Sequence, residues 1–151
     1  MSLVVWLPLN GNLENQGLSN MTFSYIQNNG ALSVNNSGKI GKCYERTASE
    51  KKDLIRSSTT INLSSDISMA CWAYVTGTTG DTANGLVTNH SHDDNTGVGI
   101  TVKEVSASDY RISCNTGTGS SRTYCTYYGT TNIKNAWHHL VLTYNKTAKQ
   151  L

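Results

Sequence analysis

Short strand-like runs separated by turn-forming residues constrain the fold of this chain more than any other feature of its sequence. The runs are rich in Val, Ile, Thr, Tyr and Trp, and polar clusters at residues 28–30, 35–38 and 77–81 separate them. β-branched and aromatic residues suit a pleated sheet, whereas Gly, Asn, Asp and Ser suit tight turns. The pattern therefore predicts an all-β protein built as a sandwich or a barrel.

The strand predictions follow from these runs. Strands are predicted at residues 3–9, 22–26, 42–46, 53–56, 67–75, 85–89, 97–103, 109–114, 122–128 and 137–144. Along residues 67–75, Met69 and Cys71 share one face, while Trp72 and Tyr74 share the other. Both faces of this run and of residues 137–144 are largely apolar or aromatic. We therefore expect these two strands in the middle of a sandwich whose outer face is partly covered or used.

Composition sets the remaining limits. The length of 151 residues predicts one domain over residues 1–151, and only 15% of the residues are charged. Twelve basic residues are scattered among ten acidic ones, which predicts no nucleic-acid partner. No apolar stretch approaches the ~20 residues of a membrane span, so no membrane insertion is expected. The N-terminus lacks the basic and apolar regions of a secretory signal, so no signal peptide is expected.

Four segments, in order, carry a family resemblance. They are residues 3–15 (LVVWLPLNGNLEN), 38–44 (GKIGKCY), 67–75 (ISMACWAYV) and 136–145 (AWHHLVLTYN). Together they resemble the laminin-G-like domains of the concanavalin A-like lectin/glucanase superfamily, relatives of the pentraxins. The resemblance implies a jelly-roll β-sandwich of two antiparallel sheets. In that family further strands follow the last motif, so the resemblance also implies that the domain lacks its last strands after Leu151.

The resemblance implies a function as well. It indicates a non-catalytic module that binds carbohydrate or a host or cell surface, as part of a phage tail or receptor-binding protein. The alternative is a purely structural or oligomerising module of a virion or bacterial surface protein, with no small-molecule ligand. The expected partners are a cell-surface glycan, other structural subunits and further copies of the chain. The expected location is a virion or a cell surface.

Hydrolase activity is not expected, although glucanases belong to the same superfamily. A retaining glycosidase needs two carboxylates ~5 Å apart, which requires acidic residues at alternate positions of one strand. The glutamates of this chain have no second acid at that spacing on a predicted strand. They are Glu14, Glu45, Glu50 and Glu104.

The densest polar cluster is a candidate metal site. It contains His90, His92, Asp93, Asp94 and Asn95. Two imidazoles at alternate positions suit a transition metal, whereas the Asp and Asn oxygens suit calcium. The remaining alternative is a solvated loop in which Asp and Asn satisfy the turn geometry.

A second cluster is a candidate carbohydrate site beside the turn at residues 116–121. It consists of Asn115, Arg122, Tyr124 and Tyr128. Tyrosine rings with polar tips suit sugar binding, but they also suit a core face or a subunit interface. Cys114 and Cys125 flank this turn and are expected to be close to cross-strand partners, with a reduced pair favoured over a disulfide. His138 and His139 are expected to point to opposite faces of one strand and to make structural hydrogen bonds.

Overall fold

All the regular secondary structure in the described part of the chain is β-strand. The computed structural model describes residues 5–26, 32–46, 54–59, 66–77, 84–89, 96–118, 127–148 and 150. The strands are β1 (Phe23–Ile26), β2 (Leu32–Asn35), β3 (Cys43–Arg46), β4 (Leu54–Ser57), β5 (Ile67–Tyr74), β6 (Asn84–Thr88), β7 (Thr96–Ser106), β8 (Asp109–Thr118), β9 (Tyr127–Tyr128) and β10 (Trp137–Tyr144). Within these ranges no residue is helical, and no helix could span a bilayer. The prediction of an all-β protein is confirmed.

The strands fall into two compact units, Met1–Thr60 and Ile61–Leu151. In the first unit β1 pairs with β4 and β2 pairs with β3, both antiparallel. A tight turn leads into β3, where the Gly38 N–H donates to the Gly41 carbonyl at 2.9 Å. A Cβ on Gly38 would lie 2.5 Å from the Lys42 carbonyl oxygen, so only glycine fits there.

The second unit contains a four-stranded sheet and a two-stranded ribbon. The sheet has the order β6-β7-β8-β9, and the ribbon pairs β5 with β10. Every paired strand in both is antiparallel to its neighbour. The β7–β8 hairpin forms the centre of the sheet, with β6 and β9 at its edges. Its pairing is long and runs from Thr96↔Thr118 to Ser106↔Asp109.

The core of this unit lies between the sheet and the ribbon. Val98, Ile100 and Cys114 of the sheet form one buried cluster with Leu142 of the ribbon. Ile100 and Val98 are each only 1% exposed. Burying an aliphatic side chain of this size contributes roughly 1.5–3 kcal/mol. Because side chains from both layers share one cluster, the two sheets pack face to face, as the predicted sandwich requires.

The segment that precedes β10 is held against the β7–β8 hairpin. The Asn132 side-chain oxygen accepts hydrogen bonds from the N–H groups of Tyr110 and Lys134, and its amide donates to the Ser108 carbonyl. The Lys134 ammonium group donates to the Ala107 carbonyl and lies 4.9 Å from the centre of the Tyr110 ring. These contacts fix the position at which β10 begins.

Two sequence expectations about local structure were wrong. Residues 5–9, predicted as strand, are irregular, because the Trp6 N–H donates to the Asn15 side chain and Leu9 adopts a φ of 56°. β8 extends to Thr118, so residues 116–118 pair with β7 and do not form the expected turn. β2 was not predicted at all. The expected strands at 67–75 and 137–144 match β5 and β10 closely.

Candidate functional site

Strands β5 and β10 direct alternate side chains to opposite sides of their ribbon. Met69 and Cys71 pack against the core, whereas Trp72 and Tyr74 lie on the opposite side. We call that opposite side the outer face. It consists of Ser68, Ala70, Trp72 and Tyr74 from β5 and of Trp137, His139, Val141 and Thr143 from β10.

The strand register arranges the outer face as a ladder of cross-strand pairs. The pairs, in order along the ribbon, are Tyr74↔Trp137, Trp72↔His139, Ala70↔Val141 and Ser68↔Thr143. Successive pairs are two residues apart, which places them about 7 Å from one another along the strands. The ladder is therefore aromatic at one end, aliphatic in the middle and hydroxylated at the other end.

The aromatic end is built from two ring contacts. The Trp72 and His139 ring centroids are 4.9 Å apart with an interplanar angle of 35°. The Tyr74 and Trp137 centroids are 5.6 Å apart at 58°. Trp72 remains 44% exposed and Tyr74 46% exposed, so each pair leaves aromatic surface open to solvent. Such pairs stabilise a sheet by about 0.5–1.5 kcal/mol beyond their area burial.

The outer face has no acidic, lysine or arginine side chain. Neither β5 nor β10 contains Asp, Glu, Lys or Arg. Polar neutral groups lie just beyond the aromatic end, where Thr76 and Asn135 are both exposed. The Asn135 N–H donates to the Val75 carbonyl at 2.8 Å, which ties the two strand ends together. The face thus combines flat aromatic surface with amide and hydroxyl groups.

A cavity of about 370 Å³ lies beside β10 and is lined by residues of both faces of that strand, among them His139 and Val141 of the outer face. Its lining includes Ile100, Ile112, Cys114, Thr130, Thr131 and His138. The His138 Nε2 is buried, and among the described residues it has no hydrogen-bond partner. Among the described residues that line the cavity there is no carboxylate.

The adjacent histidines behave differently. His138 points inward and lies opposite the buried Ala73, whereas His139 is exposed and packs on Trp72. The expectation that they occupy opposite faces is confirmed. The expected hydrogen-bonding role is not seen at the Nε2 of His138, and His139 makes a ring contact instead.

Two acidic side chains of the described residues, Asp109 and Glu45, are engaged by neighbours. Asp109 accepts a forked hydrogen bond from Arg111, with the shortest distance 2.6 Å, and this partner raises the pKa of Arg111. Glu45 accepts a hydrogen bond from the Asn35 amide at 2.7 Å. In the described part of the chain no cluster of three or more His, Cys, Asp or Glu residues could hold a metal ion.

The predicted carbohydrate residues are only partly placed. Asn115 lies within β8 opposite Gly99, and Tyr128 lies in β9 opposite Ser113. The fold therefore brings these two positions onto adjacent strands of one sheet, and Asn115 lies inside β8, which continues to Thr118. Arg122 and Tyr124 lie outside the described residues. The carbohydrate site remains a prediction.

The predicted metal site lies wholly outside the described residues. This applies to His90, His92, Asp93, Asp94 and Asn95. Cys125 also lies outside them, and the residue opposite Cys114 on β9 is Tyr127. The calcium and transition-metal alternatives and the state of the cysteine pair all remain predictions.

Sequence reasoning found the aromatic character of β5 but assigned no site to it. Trp72 and Tyr74 were recognised as one face of a strand, and Trp137 and His139 as part of another. What was missing was the register that pairs them, because β5 and β10 are far apart in the chain. Their alternating pattern was the available signal.

Comparison with known proteins agrees with this architecture. A family profile described as Laminin_G_3, of the concanavalin A-like lectin/glucanases superfamily, matches residues 49–151. No curated protein and no solved structure matched the chain significantly. The matched region covers all of β5 to β10, including both strands of the outer face. The chain belongs to the Laminin_G_3 family of the concanavalin A-like lectin/glucanase superfamily.

Proposed function

We propose that this protein is a non-catalytic carbohydrate-binding module and that its outer face is the binding surface. Family membership supports a carbohydrate ligand, since the superfamily comprises lectins and glucanases. The observation that carries the choice of site is the exposed pair of aromatic contacts, Trp72 with His139 and Tyr74 with Trp137.

The chemistry of the face suits a sugar. A pyranose ring has a face of C–H groups that packs against aromatic rings, and hydroxyls at its edge that need hydrogen-bond partners. The exposed aromatic rings can pack against the C–H face of the sugar. The polar atoms of Tyr74, Trp137 and His139 can donate or accept hydrogen bonds with its hydroxyls. Binding sites that combine apolar walls with a few polar groups are typical of small-molecule recognition.

Binding is favoured over hydrolysis because the face has no acidic residue. A glycosidase acting on a sugar held there would need two carboxylates beside the glycosidic bond. β5 and β10 supply none.

The biological setting is part of the proposal and rests on the sequence motifs alone. We place the module in a phage tail, a receptor-binding protein or another protein of a virion or cell surface, where it recognises host glycans. Calcium at Asp93, Asp94 and Asn95 would be a second, independent means of binding.

One observation favours a structural role as the alternative. Val141 is 60% exposed and lies next to the aromatic pairs, so the face has the apolar and aromatic composition of a subunit interface. In that role the face would pack against another copy of the chain.

A glycan array tests the proposal. The folded protein, Trp72→Ala and a control, Trp6→Ala, are applied in calcium and again in EDTA. Trp6 is 52% exposed and lies in the first unit, so it controls for the loss of any exposed indole. We expect glycan binding that persists in EDTA, that Trp72→Ala loses and that Trp6→Ala retains. Equal binding by all three proteins would show that the outer face is not the site.

A further inference from the structure

The side chains of the outer face change from aromatic to aliphatic to hydroxyl-bearing along the ribbon. This order limits the kind of glycan that the face can bind. The aromatic pairs lie at the end where β5 finishes and β10 begins, and Ser68 and Thr143 lie opposite each other at the far end. Three steps of about 7 Å separate the first pair from the last, so the ladder is about 20 Å long. This length exceeds what a single sugar ring covers.

Two charged side chains of the described residues near the ends of the ladder, Lys134 and Asp66, have other partners. The Lys134 ammonium group, close to the aromatic end, donates to the Ala107 carbonyl at 2.7 Å and lies over Tyr110. At the hydroxyl end Asp66 accepts the N–H of Lys146 at 2.9 Å. Between these ends, β5 and β10 contain no Lys, Arg, Asp or Glu.

An acidic glycan would therefore bind poorly on this surface. A carboxylate or sulfate that leaves water without a cationic partner suffers a large desolvation penalty, and acidic groups are normally bound by Arg or Lys. A neutral sugar has no charged group to desolvate. Its C–H face can pack on the aromatic rings, and its hydroxyls can hydrogen-bond with the hydroxyl groups of the face. A face without charged side chains therefore favours an uncharged ligand.

We infer that the ligand is an uncharged, linear oligosaccharide that lies along the strands of the outer face, stacked at the aromatic end and hydrogen-bonded at the hydroxyl end. This inference rests on the proposed function and adds the class of glycan and its direction on the face. The hydroxyl end distinguishes a glycan from a purely aliphatic ligand, for which Ser68 and Thr143 would be unfavourable.

Two measurements on the intact chain test the inference. The first is an array that contains neutral, sialylated, sulfated and uronic-acid glycans. We expect hits among the neutral glycans only. Binding restricted to acidic glycans would overturn the inference and leave the proposed function standing, whereas a folded protein that binds no glycan would overturn both.

The second measurement is titration calorimetry with oligomers of increasing length from the neutral series that the array identifies. Affinity should rise with length until the ladder is filled. Thr143→Val, alone and with Ser68→Ala, should weaken binding of the longer oligomers by about two- to tenfold per lost hydrogen bond and leave the shortest unchanged. Ser106→Ala, at the exposed end of β7 and away from the outer face, is the matched control.

Other results would contradict the inference. Affinity that does not depend on length, or an equal loss for short and long oligomers, would show that the glycan does not run along the strands. A change of oligomeric state in Trp72→Ala, with glycan binding intact, would show that the face is a subunit contact.

Discussion

The rings of Trp72 and His139 face each other across the β5–β10 ribbon, with centroids 4.9 Å apart. The two residues are directly opposed in the register, and the neighbouring pair of Tyr74 and Trp137 repeats the arrangement one step along the strands. On the reverse side of the same ribbon, Leu142 closes the core against Val98 and Ile100. One pair of strands thus anchors the sandwich with one face and presents aromatic rings with the other.

Adjacent residues of β10 should differ sharply in their effect on stability. Leu142 is 5% exposed and Val141 is 60% exposed, although they are neighbours in the chain. Leu142→Ala should lower the free energy of unfolding by about 2–5 kcal/mol, because it leaves a cavity in the core. Val141→Ala should change it by less than about 0.5 kcal/mol. Urea denaturation measures both, and similar losses would contradict the assignment of faces.

The turn before β3 should not tolerate a side chain at Gly38. Its Cβ would lie 2.5 Å from the Lys42 carbonyl oxygen and 2.7 Å from the Gly41 carbonyl oxygen. Backbone atoms cannot move aside as a flexible side chain can, so Gly38→Ala should cost roughly 1–3 kcal/mol. Gly77→Ala is the control, because a Cβ added to Gly77 would meet no described atom within 4 Å. Thermal denaturation of the two variants should differ, and matching Tm values would contradict the described turn.

Asn132 should be needed to hold the segment before β10. Its side chain makes three hydrogen bonds, to the N–H groups of Tyr110 and Lys134 and to the Ser108 carbonyl. Asn132→Ala should lower the free energy of unfolding by about 1–3 kcal/mol. Hydrogen exchange of the Ile133 N–H, which donates to the Tyr110 carbonyl at 2.8 Å, should become faster. Unchanged exchange at Ile133 would show that the side chain does not hold this segment.

High pH should destabilise the fold through buried ionisable groups. Burial raises the pKa of Cys71 from 9.0 to about 11 and the pKa of Tyr44 from 10.0 to about 12. The unfolded chain loses these protons at lower pH than the folded chain does. The free energy of unfolding should therefore fall as the pH rises from about 9 to about 12, with Cys71 contributing up to about 11 and Tyr44 up to about 12.

Cys71→Ala isolates the thiol in this titration. The variant should lose part of the decline between pH 9 and pH 11 while keeping the contribution of Tyr44. The same burial predicts that Cys71 reacts slowly with iodoacetamide in the native protein near neutral pH, because the thiolate is the reactive form. Rapid native-state alkylation of Cys71, identified by peptide mass spectrometry, would contradict its placement in the core.

The sequence predicted the parts of the fold that depend on local patterns. Alternation along residues 67–75 and 137–144 identified β5 and β10 almost to the residue, because both strands bury one face and expose the other. The prediction from local patterns was wrong at residues 5–9. The apolar pattern there suggested a strand, but the Trp6 N–H donates a hydrogen bond to the Asn15 side chain. It also missed β2, which is short and set among turn-forming residues.

The candidate site was harder to predict because it depends on long-range pairing. Trp72 and His139 become neighbours only when β5 and β10 adopt one particular register, and a shift by one residue would send the rings to the core. The sequence alone directed attention to residues 90–95 and to Arg122 and Tyr124, where polar and aromatic residues are clustered locally.

Glycan binding by the outer face can be tested with the variants Trp72→Ala, Trp137→Ala and Trp6→Ala. Their affinities are measured for a glycan that the parent protein binds. Near-ultraviolet circular dichroism and size-exclusion chromatography confirm that each variant is folded and has the same oligomeric state. We predict at least about tenfold weaker binding for the first two variants and unchanged binding for Trp6→Ala. Unchanged affinity in the Trp72 and Trp137 variants would contradict the account.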